Sequence, residues 1–338
     1  MSKNILVIGA GKFSQIFQLP NIEKLNYKLR AICDPRIKLV KQVAKFYNFE
    51  RYYTNINSAL KEKYNIIFVF SSRLSSYEIL KKILKLHNHN CIVFSEKPSV
   101  FNLQQSKNLK NKINKSKLKF ISGYMLRYDR AALHFKNILK SKNFSRKYGE
   151  IINVKCFISN NKLYNKKYSY FRTKEKIDFY YNKNQYPKYL DKEFKANYHV
   201  FINRYSHLVN LICFFFKIKK VEKFIIKDVY NYYAVISEKF KIYASFENKK
   251  NYVIKFIIET YTHKIILSIY NPALITYSKV QIYKNKKLVL LFKKKTDVFL
   301  EEIKNLHIKK NISITTHKNL FQDFFLIDQL WRFNKKNH

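Results

Sequence analysis

Two patterns of apolar residues divide the chain. From residue 4 to residue 124, short unbroken apolar runs alternate with longer amphipathic stretches. The runs are NILVIG (4–9), LRAICD (29–34), NIIFVFS (65–71), CIVFSE (91–96) and KFISGY (119–124). Between them the spacing predicts helices near 12–23, 37–47, 75–86 and 101–115, with RYYTN (51–55) as a short additional strand. A strand that is apolar on both faces is covered on both faces, and its alternation with helices implies βαβ units in a parallel sheet. The expected first domain, residues 1–122, is therefore an α/β unit built on a doubly wound parallel sheet.

From Gly149 the pattern changes. GEIINVKCFISN (149–160) alternates polar and apolar positions as a half-buried strand does. After residue 221 come VEKFIIKDV, YYAVISE, KIYASFE, YVIKFIIET and KIILSIY, separated only by short turns. Such a succession predicts an open, mostly antiparallel sheet with one face exposed. Helical spacing appears at 125–142, expected to connect the two domains, at 198–216 and in the final FQDFFLIDQLWRF. Residues 123–338 thus read as a connecting helix followed by an α+β domain, with no internal repeat and no linker rich in Gly, Pro or Ser.

A chain of 338 residues, 47% hydrophobic and 17% aromatic, has the material for two cores. Its formal net charge of +45 is of the size carried by proteins that bind nucleic acid or acidic membrane surfaces. The lysines, however, are spread through nearly every block of ten, among Asn, Ile, Tyr and Phe, while Gly, Pro, Met and Trp are scarce. Residues with A- and T-rich codons dominate, a bias that base composition produces without selection for a basic surface. Runs such as KNKINKSKLK (110–119) and FKKKT (292–296) read as solvated faces, so neither nucleic acid nor a membrane is expected as a partner. Cys33, Cys91, Cys156 and Cys213 lie far apart without paired ligand spacing, which predicts reduced thiols and no metal. No apolar run approaches the roughly 18 residues of a bilayer span. The chain enters a strand by residue 4 with no leader pattern before it, so a cytoplasmic location is expected.

Candidate chemistry begins in ILVIGAGKFSQIF (5–17), where two of only 4 glycines, Gly9 and Gly11, stand at the passage from strand to helix. A first glycine there permits a tight turn, and a second lets the backbone approach a pyrophosphate with no Cβ in the way. Ser14 stands where a third glycine is frequent and is small enough for close packing of helix on strand. A helix opening at Lys12 aims its free N–H groups and positive dipole end at phosphates. The second strand ends in Asp34, placed to accept hydrogen bonds from an adenosine ribose and to repel a 2′-phosphate, which favours NAD. Arg36 would instead receive that phosphate and keeps NADP open.

SEKPSV (95–100) closes another apolar run, at the sheet edge where ligands bind in open α/β folds. Taken in order, the G-x-G turn, Asp34, the Glu96-Lys97-Pro98 triplet, GYMLRYD and YGEIINVKC resemble the Gfo/Idh/MocA oxidoreductases from residue 4 to about 216. The resemblance implies a Rossmann domain joined to an open-sheet domain used for substrate binding and oligomer contacts, in a family composed mostly of sugar or cyclitol dehydrogenases. It implies that Gly9, Gly11, Lys12, Phe13 and Ser14 cradle the cofactor, with Asp34, Arg36, Ser71, Glu96 and Lys97 completing its site. The family's catalytic lysine falls on Lys97. Beside a positively charged nicotinamide its pKa is lowered, so that it can share or relay the proton of a carbinol. Pro98 fixes the turn that aims it.

In HVFINRYSHLVNLICFFF (199–216), Asn203, His207 and Asn210 stand at i, i+4 and i+7 and form a polar stripe on an otherwise apolar helix. The alternative to a site is a structural histidine satisfied by neighbouring amides. The resembled family commonly has Asp-x-x-x-His here, with the His handling the proton; His207 matches, and Asn203 stands in place of the acid. An amide orients the imidazole without stabilising its charged form. Tyr124, Arg127, Arg172 and Asn210 are the expected substrate contacts, with Asp129 an alternative partner for Arg127, and the aromatic, basic segment 163–198 is expected to line the pocket. The reading is an NAD(P)-dependent oxidoreductase that passes a hydride between the nicotinamide and a carbinol or carbonyl carbon of a sugar or nucleotide sugar. Its expected setting is surface-polysaccharide biosynthesis, as a homodimer or homotetramer formed through the C-terminal sheet. The alternative is a catalytically degenerate dinucleotide-binding sensor or scaffold, which the amide at Asn203 keeps open.

Overall fold

Each run that is apolar on both faces forms a strand. In a computed structural model, which describes residues 3–87, 89–159, 168–176, 185–245, 252–308 and 312–335, these strands are β1 (Asn4–Ile8), β2 (Lys28–Cys33), β3 (Arg51–Tyr53), β4 (Ile66–Val69), β5 (Cys91–Glu96) and β6 (Leu118–Gly123). All are parallel, in the order β3-β2-β1-β4-β5-β6. The order reverses between β1 and β4, the place where doubly wound sheets open a crevice for ligands.

The segment expected as one helix over 12–23 contains a π-helical turn, Ser14–Gln18, that runs into α1 (Leu19–Glu23). The N–H of Leu19 donates to the carbonyl of Ser14, one residue beyond the usual helical reach. Pro20, with no N–H to give and a ring that crowds the preceding turn, follows directly. Then come α2 (Ile37–Phe46), α3 (Ile56–Ala59), α4 (Ser76–Leu86) and α5 (Leu103–Asn114), the last capped by Asn102, whose side chain accepts the Gln105 N–H at 2.8 Å.

The chain forms two units: Met1–Tyr124 with Lys166–Lys188 and Glu302–Phe321, and Met125–Asn165 with Tyr189–Glu301 and Gln322–His338. The first therefore recruits two later segments. Ile303, Leu306 and Ile314 join Ile5, Val7, Phe68 and Phe94 in its core.

The second unit holds β7 (Ile151–Ser159), β8 (Lys223–Ile226), β9 (Tyr232–Ser237), β10 (Phe240–Ser245), β11 (Val253–Thr260), β12 (His263–Tyr270), β13 (Tyr277–Lys284) and β14 (Lys287–Lys295). Their order is β14-β13-β12-β11-β7-β10-β9-β8, antiparallel except for the β7–β10 pair. Burial alternates along β9, β11 and β13, as a sheet with one covered face requires. The expected connecting helix over 125–142 is instead a 3-10 turn, Met125–Tyr128, followed by α6 (Arg130–Leu139). Asp129 breaks them apart: its backbone is extended, and its carboxylate accepts the N–H groups of Ala131 at 2.8 Å and Ala132 at 3.1 Å. The remaining helices are α7 (Phe144–Tyr148), α8 (Lys195–Phe215), α9 (Val298–Lys304) and α10 (His317–Lys335), the unit boundaries falling inside the last two. Trp331 is packed edge-on by Tyr198, Phe201 and Phe224.

Of the segment 163–198, residues 163–167 and 177–184 lie outside the described residues, as does the end of the KIYASFE run, 246–247. Among the described residues no helix is long and apolar enough to cross a membrane.

Candidate functional site

The turn after β1 is held from both sides. The Gly9 N–H donates to the Cys33 carbonyl at 2.8 Å, and the Phe70 N–H donates to the Ile8 carbonyl at 2.7 Å. Gly9 has φ +107°, and a Cβ there would stand 2.7 Å from the Phe70 carbonyl carbon and oxygen, so the protein's own backbone demands glycine. At Gly11 the reason differs. A Cβ there would meet only the Arg36 guanidinium, at 3.9 Å. What Gly11 borders is a cleft of about 830 Å³, lined also by Gly9, Lys12, Phe13, Asp34, Arg36 and Ser71 and, beyond them, by Asn55, Ser75 and Lys82. A missing side chain that faces open space is what the close approach of a pyrophosphate needs, and the cleft lies in the size range of cofactor sites. The residues present thus fit a dinucleotide.

At the end of β2, Asp34 is buried and fully engaged. Its carboxylate accepts the Ala10 N–H at 2.9 Å, the Arg36 N–H at 3.1 Å, and Arg36 Nε and Nη2, both at 2.8 Å. These bonds match the roughly four acceptor positions of a carboxylate, so a ribose would compete with Arg36 for Asp34. Ser14 is fully buried inside the π-helical turn, and its hydroxyl finds no hydrogen-bond partner among the described residues.

The end of β5 carries the second group of expected residues. It lies between β4 and β6, with Ser95 opposite Val69 of β4. The Lys97–Pro98 peptide is cis, and the turn is clamped by the Ser99 hydroxyl, which meets the Ser122 hydroxyl at 2.7 Å. Glu96 is buried; Gln18 donates to one carboxylate oxygen, and the Lys97 N–H donates to the other at 3.2 Å. A Cβ at Gly123 would stand 2.9 Å from Phe94 Cζ and 3.3 Å from Glu96 Cα and Cδ, so that glycine makes room for both side chains. Burial pushes the Glu96 carboxyl up to about 7, against the pull of Lys97 and its hydrogen bonds. Burial, opposed by Glu96 and aided by Arg73, brings the half-buried Lys97 ammonium down to about 8.

One carboxylate here has no sequence signature. Glu302 is 1% exposed, both its oxygens are without a hydrogen-bond partner among the described residues, and burial, with the Glu96 charge adding, holds its pKa well above the carboxylate range. Nothing in the local sequence LEEIKNL signals this.

In the second unit the α8 stripe turns inward. His207 is buried, Asn203 is half-buried, and Asn210 donates to the Asp323 carboxylate at 2.6 Å. Arg127 is also buried, with its guanidinium 4.5 Å from the Phe214 ring centroid, and it faces the charge of Asp323 rather than Asp129, which caps α6. Lys136 lies over the same ring at 3.2 Å, and burial, with Lys140 and Arg127, lowers its pKa to about 7. Burial raises Asp323 to about 6 despite Arg127 and Asn210. Tyr124, at the end of the first unit, is buried, while Arg172 is exposed and stacks on Tyr170 at 4.3 Å.

A doubly wound sheet with a glycine-bordered cleft at its switch point, followed by an open sheet in a second unit, defines a dinucleotide-binding α/β protein with an added sheet domain. Residues 3–124 match the Gfo/Idh/MocA model, described as an oxidoreductase family with an NAD-binding Rossmann fold. The whole chain is similar in fold to a 3-ketoreductase from Actinomadura kijaniata in complex with TDP-benzene and NADP, with TM-score 0.70, 14% identity, and 98% of this chain and 97% of that one covered. It is similar also to a UDP-N-acetylglucosamine 3-dehydrogenase from Acidithiobacillus ferrooxidans, with TM-score 0.68, 12% identity and 98% of each chain covered. A third is scyllo-inositol dehydrogenase from Lactobacillus casei, with TM-score 0.66, 16% identity, and 99% of this chain and 97% of that one covered. No curated protein matches the sequence.

Proposed function

We propose that the protein is an NAD(P)-dependent dehydrogenase or reductase that acts on a CH–OH or C=O carbon of a sugar or nucleotide sugar. The observation that carries this reading is the open clearance at Gly11 in a cleft bordered by Asp34 and Ser71, with Lys97 leaving the sheet one strand beyond β4. Gly9, Gly11, Lys12 and Phe13 would hold the pyrophosphate side and Asp34 or Arg36 the ribose; a nicotinamide bound there supplies the hydride acceptor or donor. With its ammonium near 8, Lys97 exists in both protonation states around neutral pH. As the free amine it takes the hydroxyl proton while the C–H electron pair departs; as the ammonium it returns that proton to the carbonyl oxygen. His207, oriented by Asn203, is proposed as a further proton carrier. The sugar class is supported by the activities of the fold-similar ketoreductase and 3-dehydrogenase. A nucleotide-sugar substrate would fit surface-polysaccharide biosynthesis. The exposed Tyr277, Leu288 and Leu291 on β13 and β14 suit self-association through the sheet.

The test is a panel of nucleoside-diphosphate sugars and free cyclitols offered with each oxidised dinucleotide, following nicotinamide absorbance. Turnover is expected with at least one of them, falling about 10²–10⁴-fold in Lys97→Ala with dinucleotide binding kept. Dinucleotide binding without turnover across the panel would instead support a sensor or scaffold, the reading that the amide at Asn203 keeps open.

A further inference from the structure

The described part of the segment after β7, residues 168–176, carries a charge onto the first unit. Gln15 grips its backbone in both directions: Nε2 donates to the Phe171 carbonyl at 3.3 Å, and Oε1 accepts the Phe171 N–H at 2.8 Å. The Phe171 ring meets Phe46 edge-on at 5.4 Å. Four residues later the Glu175 carboxylate accepts the Lys38 N–H at 3.0 Å and the Leu39 N–H at 3.2 Å. Arg36, at the N-cap of α2, offers no side-chain cap of its own, so Glu175, 137 residues beyond Lys38, takes that place. Against the upward push of partial desolvation, the two amides and Thr173 keep the Glu175 carboxyl below its usual value, and it is ionised at neutral pH.

These amides open the helix that follows Asp34. In a dinucleotide-binding fold, the end of β2 is where the adenosine ribose and any 2′-phosphate are sorted. A phosphate arriving there needs cationic or N–H donors. Arg36 has Nε and Nη2 on Asp34, and the amides of Lys38 and Leu39 are taken by Glu175. Arg36 feels the charges of Asp34 and Glu175, and Glu175 that of Lys38.

We propose that Glu175 is a specificity-determining residue that selects NAD over NADP, its carboxylate occupying the α2 amides and opposing the charge of a 2′-phosphate. The proposal rests on reading the cleft as a dinucleotide site. An unphosphorylated ribose leaves Glu175 undisturbed, whereas a 2′-phosphate must displace it or lie beside it.

The experiment is a titration of NADH and NADPH into the unsubstituted protein, Glu175→Gln and Glu175→Ala, read by nicotinamide fluorescence. The glutamine keeps an oxygen for the amides and removes the charge, so it separates capping from repulsion. The unsubstituted protein should bind NADH at least about tenfold more tightly than NADPH. Both variants should narrow that ratio by about tenfold, through tighter NADPH binding with NADH binding little changed. A preference for NADPH in the unsubstituted protein, an unchanged ratio in both variants, or a shift in the alanine variant alone would overturn the role of Glu175 while leaving the dinucleotide reading intact. Failure of the folded protein to bind either nucleotide would overturn both.

Discussion

In sequence, the strand ends of the first unit resemble helix α8 of the other unit, each being a short constellation of polar residues beside an apolar run, yet the fold uses them in opposite ways. Around Gly9, Gly11 and Asp34 the polar groups border an open cleft. On α8 they point into the protein, where Asn210 is committed to Asp323 and His207 is buried. The difference teaches what a motif can announce. A glycine turn declares itself through local backbone geometry, whereas a polar stripe has two readings until its partner is found, and the partner of Asn210 is 113 residues further on.

The largest effect that would sharpen this contrast is expected at Asp323. Replacing it by Ala leaves Arg127 buried without its counter-charge and Asn210 without its acceptor, and should cost about 3–5 kcal/mol in denaturant unfolding. A small cost would mean that the α8 stripe is not held structurally and is free to meet a ligand. Next come the two glycines under the same substitution. Gly9→Ala drives a Cβ against the Phe70 carbonyl at an unfavourable φ and should destabilise the protein by about 3 kcal/mol. Gly11→Ala, with open space around the new methyl, should stay within about 0.5 kcal/mol. Equal costs would erase the distinction between a glycine kept by the fold and one left to the cleft.

The smallest effect is a pH dependence. The folded pKa of Glu302 lies above its unfolded value, so the folded state binds the proton more tightly. The resulting stability is complete below the unfolded value, near pH 4.5, and is lost as pH rises toward the folded value. Glu302→Gln copies the protonated side chain and cannot ionise. It should be more stable than the unsubstituted protein at pH 8 and show no such gain at pH 4, measured by thermal or urea unfolding. A loss at pH 8 would show that Glu302 is ionised and paired.

The parallel sheet was readable because a strand covered on both faces must be apolar throughout, and the G-x-G turn because Gly9 has no substitute there. Elsewhere the signal was absent for physical reasons. β14, KLVLLFKKK, has an apolar run, LVLLF (288–292), but no alternation, and as an edge strand it leaves Leu288, Val289 and Leu291 exposed, so the run does not announce a strand with one covered face. The return of Glu302–Phe321 to the first unit follows from packing of Ile303 and Ile314 against strands some 200–300 residues earlier, which local spacing does not encode. Asp34 and Arg36 were both visible as candidates. That they bind each other, and that Glu175 caps α2 beside them, are long-range or side-chain choices that spacing leaves open.

The most direct test of the dinucleotide cleft is a calorimetric titration of NADH into the protein and into Gly11→Val. The Cβ of a side chain there meets only the far end of Arg36, at 3.9 Å, so the variant should fold with a Tm close to that of the unsubstituted protein. The expected result is binding to the unsubstituted protein that is weakened about a hundredfold or more in the variant. Equal binding by both, or none by the folded unsubstituted protein, would contradict the placement of a dinucleotide against Gly11.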